Sequence, residues 1–130
     1  MTMNTVGEHV YFMQLYVAAS DGEIEDEEID NLLGQMIGNQ IIGNIIGDGT
    51  DQGQCMTNAR EYFMECARAG TLDMAFSMSA GGMAASVGWD YGTLEVFFNE
   101  LMSTAFADGE LEAGEVAALS FVQSQWGIVL

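Results

Sequence analysis

Apolar positions recur every three or four residues along most of the chain, the spacing of one face of an α-helix. Val6, Val10, Met13 and Val17 predict a first helix over 5–20, ended by Asp21-Gly22. A second helix starts near Glu25 or Asp26, with Ile29, Leu32, Leu33, Met36 and Ile37 facing the core. The segment GNQIIGNIIG either extends it or breaks from it at Gly38, and GDGTDQGQ reads as a loop. Met56, Ala59, Phe63 and Cys66 mark the next helix, with both arginines on its polar side. Residues 71–86, rich in small side chains, predict a helix that approaches its neighbours closely, with Trp89 in the turn after it. Leu94, Phe97, Phe98, Leu101, Met102 and Ala105 define a long helix ended by Asp108-Gly109. Val116, Leu119, Val122 and Trp126 define the last one. No stretch of four or more residues alternates cleanly, so no sheet is expected beyond a single bridge. The expected fold is all-α, a compact bundle of about six to seven helices.

Composition narrows this picture. A chain of 130 residues, 49% hydrophobic, fits one domain over 1–130 with a real core. No proline interrupts the helix signals, but sixteen glycines are many for an all-helical chain, so kinks and several helix ends are expected. The net charge of −18 sets twenty acids against Arg60 and Arg68, with no lysine. Such a surface repels nucleic acid and anionic membrane and suits cations, basic protein surfaces or a high-salt solvent. Cys55 and Cys66 fall on one predicted helix, roughly 16 Å apart along its axis, too far for a disulfide. Buried thiols in a reducing compartment are expected. MTMNTVGEHVYF has no basic stretch followed by an apolar core, and no apolar run reaches membrane-spanning length. The cytoplasm is the expected location.

The acids are not spread evenly. Seven lie in 21–30 and four in 108–115, eleven of the twenty. The two windows are copies. Asp21, Gly22, Glu23, Ile24, Glu25 and Glu28 align with Asp108, Gly109, Glu110, Leu111, Glu112 and Glu115. Each copy joins two predicted helices, which suggests two pseudo-symmetric helix–turn–helix units with their turns side by side. The pattern matches the second half of a calcium-binding EF-hand loop, in which glycine makes the sharp turn and the last glutamate gives two oxygens. The first half is missing: Val17 and Ala19, or Thr104 and Phe106, stand where ligands belong. One copy alone therefore lacks the oxygens calcium takes. Pooled, Asp21, Glu28, Asp108 and Glu115 would give four carboxylates, suited to a hard cation: calcium, magnesium or manganese. The same residues also fit a purely structural reading. Asp-Gly stops helices, acids suit the start of the next helix, and Glu28 and Glu115 stand where a capping-box glutamate belongs. Two such turns packed together without a cation would repel one another.

Other candidates are weaker. A third Asp-Gly, at Asp48, lacks the following glutamate of the repeat. His9 reads as a surface or partly buried helix residue, and no nucleophile–base set accompanies it. The ten methionines fall mostly on core faces. Trp89 and Trp126 read as core anchors, although an exposed one would mark a partner groove. No glycine loop is followed by the Lys-Ser/Thr that phosphate binding needs.

AASDGEIEDEEIDNLL at 18–33 and AFADGELEAGEVAAL at 105–119, with their separation and the helical middle, resemble the TerB family of tellurite-resistance proteins. The resemblance implies a bundle of about seven helices whose acidic motifs bind divalent cations. By position, Asp21, Glu28, Asp108 and Glu115 would be the ligands, with Glu25 and Glu112 auxiliary. It implies a role in tellurite and general chemical stress through protein partners of the TerC and TerD type, at the inner face of the membrane through TerC. Gly114 departs from the pattern, standing where the first copy has Glu27. Three functions follow in order: a cation-binding accessory module; an acidic interaction protein, even a nucleic-acid mimic, whose turns are structural; and an enzyme with a carboxylate-bound metal. No nucleophile, base or pocket is legible for the last, so a non-enzyme is expected.

Overall fold

The computed structural model describes residues 5–19, 26–37, 39–47, 51–106 and 113–129. It is an all-α bundle of seven helices, with no strand among the described residues: α1 (Val6–Ala19), α2 (Asp26–Ile37), α3 (Gln40–Ile46), α4 (Gln52–Ala69), α5 (Leu72–Ser86), α6 (Tyr91–Ala105) and α7 (Ala113–Trp126). All seven contribute to one hydrophobic core.

The organising element is α1, which packs against each of the other six helices. It is buried around its whole circumference from Gly7 to Leu15, and Val10, Tyr11, Phe12, Met13, Leu15 and Val17 are fully buried. A helix apolar on every side belongs inside a bundle, so the four residues picked out by spacing are only one strip of its buried surface. Its few polar side chains must then find partners within the protein. Thr5 and Glu8 form a capping box: the Thr5 backbone N–H donates to Glu8 Oε1 (3.1 Å), and the Glu8 N–H points back at Thr5 Oγ1 (3.4 Å). Asn58 of α4 donates to the other Glu8 oxygen (3.0 Å), and Thr104 of α6 donates to Gln14. Among the described residues no buried side-chain nitrogen or oxygen lacks a hydrogen-bond partner.

Two glycines set how closely the neighbours approach α1. A Cβ on Gly7 would stand 2.7 Å from Cys55 Sγ of α4, and one on Gly82 of α5 would stand 2.6 Å from His9 Nε2. The close approach expected of the small residues in 71–86 is therefore a glycine seated on an imidazole. Cys55 and Cys66 are both buried, on the single helix α4.

The structure decides one boundary that the sequence left open and shifts others. Ile41, Ile42, Ile45 and Ile46 belong to a separate short helix, because Asn39 is extended (φ −82°, ψ 108°) and its side chain accepts from the N–H groups of Ile41 and Ile42. The predicted loop GDGTDQGQ is helical from Gln52, where Asp51 caps α4 by accepting from the Gln54 N–H (3.0 Å). The Asp48-Gly49 pair lies outside the described residues, as do Gly38 and the Ile37 side chain. α6 ends at Ala105, before Asp108. Trp126 is buried, with its indole N–H donating to the Ala80 carbonyl (3.0 Å). Trp89, also expected in the core, is instead 54% exposed. Met74 and Met78 likewise point outwards from α5.

Candidate functional site

The acidic turns join α1 to α2 and α6 to α7. Asp21, Glu25, Asp108 and Glu112 lie outside the described residues. Glu28 and Glu115 are described, and so are the helix ends that flank both turns.

Those helix ends gather at one region of the bundle. Ala19, the last residue of α1, and Gly114, near the start of α7, line the same groove of about 570 Å³. The aromatic floor of that groove includes Tyr16 stacked on Phe76 at 4.0 Å between ring centroids. Tyr16 donates its hydroxyl to Asp73 (2.6 Å). Burial, then that hydrogen bond and charge, push the Tyr16 phenol above its ordinary range, so it remains a neutral donor. On the other side of α1, Ala18 shares a second cleft, of about 400 Å³, with Glu28 of α2 and with Ser103 and Thr104 near the end of α6. Ala18 and Ala19, consecutive at the end of α1, thus meet residues near the end of α6 in one cleft and near the start of α7 in the other.

The second cleft is rich in oxygen. Glu28 and Glu100 supply carboxylates, Gln14, Gln35 and Asn39 amide groups, and Ser103 and Thr104 hydroxyls, over an apolar wall that includes Leu32 and Met36. No basic residue lines it. Asn39, while capping α3, also donates to Glu100 (3.1 Å). Glu100 was not a sequence candidate. It lies outside both acidic windows, and nothing along the chain ties it to Glu28. Among the described residues no three of His, Cys, Asp and Glu converge on one point.

The two glutamates that close the repeated motif are not placed alike. Glu28 is exposed on α2, whereas Glu115 is only 3% exposed on α7. The buried face of α7 runs through Glu115, Ala118, Leu119, Val122 and Trp126, and Val116, predicted to be its first core residue, is 43% exposed. The matching position of the first copy, Ile29, is fully buried. α2 and α7 therefore present faces that differ by about one residue, or roughly 100° of helical rotation. A carboxylate replaces an aliphatic side chain on the inner face of α7, a placement that spacing alone argues against.

His9, expected to be a surface or partly buried residue, is only 8% exposed in the α1–α5 contact, its Nδ1 2.9 Å from Ser79 Oγ. Burial lowers its pKa, with the nearby Glu8 charge opposing in part. The imidazole is thus a neutral packing element. Ser79 is itself 1% exposed, so the pair is not presented to a substrate.

No described helix is long and apolar enough to cross a membrane. Comparison of the chain with family models, characterised proteins and solved structures gives no match.

Proposed function

We propose that the chain is a non-enzymatic, divalent-cation-binding accessory module of the chemical-stress type, acting through protein partners. The observation that carries this reading is the gathering of the helix ends that flank the two acidic turns. Ala19 and Gly114 line one groove, and Ala18, Glu28 and Thr104 line the adjoining cleft. Two turns issuing from neighbouring helix ends would bring Asp21 and Asp108 within reach of one ion, with Glu28 exposed on the cleft side to join them. Repulsion among these acids is then relieved by a cation. Oxygen-only ligation selects calcium, magnesium or manganese. By resemblance the partners are of the TerC and TerD type, and a TerC-type partner would bring the module to the inner face of the membrane.

Calorimetric titration of chelator-stripped protein with each of the three ions tests this. One saturable ion per chain is expected, lost in Asp21→Asn with Asp108→Asn. Two equal, independent sites would end the pooled reading. Absence of binding would reduce the motifs to helix punctuation and favour the acidic interaction protein.

A further inference from the structure

The turn between α5 and α6 is built at some cost. Trp89 has φ +57°, a left-handed conformation that crowds the Cβ of any residue other than glycine. Its N–H donates to the Ala84 carbonyl (2.8 Å), which holds the turn. This geometry places the indole in solvent, 54% exposed, and not in the core. The same turn supplies Val87 and Asp90 to a groove of about 650 Å³ between α3 and α6. Ile41 and Ile45, one helical turn apart, form one wall, and Thr93 and Val96 the other. Ile41 is 44% and Val96 42% exposed, so both walls offer apolar surface to an occupant. Backbone strain that exposes an indole in a turn whose residues on either side, Val87 and Asp90, line an open apolar groove points to binding.

Charge decides what fits. Both basic residues of the chain, Arg60 and Arg68, lie on α4, so neither wall nor the turn carries a positive group. The Asp90 carboxylate lines the groove while accepting from the Thr93 N–H (3.0 Å) and hydroxyl (2.7 Å). At a net charge of −18 the chain repels anionic partners and second copies of itself. Shape narrows the choice further. Two walls with residues at helical spacing make a slot for a third helix. α3 has seven residues and is roughly 10 Å long, so the slot takes about two turns.

We propose that the α3–α6 groove is a docking site for a basic amphipathic helix of a partner protein, with Trp89 closing over its edge. This rests on the reading of the chain as a module that acts through protein partners, and not on its cation site.

The probe is an 18-residue helix-forming peptide of leucine and lysine, its leucines on one face and no aromatic residue in it. One-to-one binding is expected, with a blue shift of tryptophan emission that Trp89→Phe abolishes. Ile41→Glu with Val96→Glu weakens binding at least tenfold although it adds two negative charges. Met74→Glu with Met78→Glu adds the same charge on the exposed face of α5 and leaves binding equal or tighter. Asn44→Arg, on the α3 wall, also weakens it and provides the test if the double variant does not fold. Equal effects of the two glutamate pairs would reduce the binding to general electrostatics and overturn the proposal. So would equal binding of a leucine–glutamate peptide, or a dimer in sedimentation that the groove variant dissolves. Cation titration of the groove variant is expected to match the wild type, so a failure of docking is separable from a failure of the cation reading.

Discussion

A buried histidine beside a glycine makes one residue pair sensitive to both volume and protonation. His9 fills the space that Gly82 leaves open, and any proton it takes up must be held in the α1–α5 contact against desolvation. Its pKa in the folded chain lies below its unfolded value of about 6.5. The folded state therefore binds fewer protons in that window, and stability rises with pH. This contribution is complete above the unfolded pKa and is lost as pH falls below it. Urea unfolding from pH 5 to 7.5 checks this against His9→Gln, which does not titrate. The wild type should lose stability more steeply on acidification, and the two profiles should run parallel above pH 7. Parallel profiles throughout would show that folding leaves the pKa of His9 unchanged and would end this reading. Burial of His9 is not legible in the sequence, because its neighbour Gly82 is 73 positions away and the clue is the absence of a side chain.

At the scale of elements, helix existence was legible almost throughout, whereas several helix ends were not, even where the cap is local. Asp51 and Asp90 cap α4 and α6 through bonds three residues ahead. The break before α3 depends on Asn39, which caps a seven-residue helix too short to persist alone. Asn39→Ala should cost about 1 kcal/mol in urea unfolding. Asn39→Asp keeps the capping oxygen but loses the donor to Glu100 (3.1 Å), so its cost separates the cap from the cross-link. If the alanine variant is as stable as the wild type, α3 is held by burial of Ile42 and Ile46 alone. The repeat in sequence also overstates the likeness of α2 and α7. Their apolar residues permit more than one face, and only the neighbours chose Ile29 on one and Glu115 on the other.

For the whole molecule, charge is the dominant feature. Twenty acids stand against two arginines, and the ion pair of Arg60 with Asp30, at 2.8 Å, is partly exposed. A pair of that kind adds at most about 1 kcal/mol, so net repulsion opposes the compact state. Raising sodium chloride from 10 to 300 mM shortens the screening length from about 30 Å to under 10 Å and should raise the melting temperature. Calcium, magnesium or manganese at matched ionic strength should raise it further if the pooled site binds, since an ion held only by the native state stabilises it. A rise fully reproduced by sodium would assign the effect to screening.

The helical class, most of the helices, and the duplication that makes a cation site worth proposing are legible along the chain alone. These properties follow from local spacing and composition, which act within a few turns of one helix. Tertiary structure alone decided that α1 is enclosed on all sides, that Glu115 faces inwards while Glu28 faces out, and that Trp89 stands in solvent. It also brought Glu100 to the cleft of Glu28, and Ala19 to the groove of Gly114. The physical reason is that burial is a property of neighbours. A helix with apolar residues on several sides has no preferred face until other helices cover it, and the groups that meet then are set by packing, not by their distance along the chain.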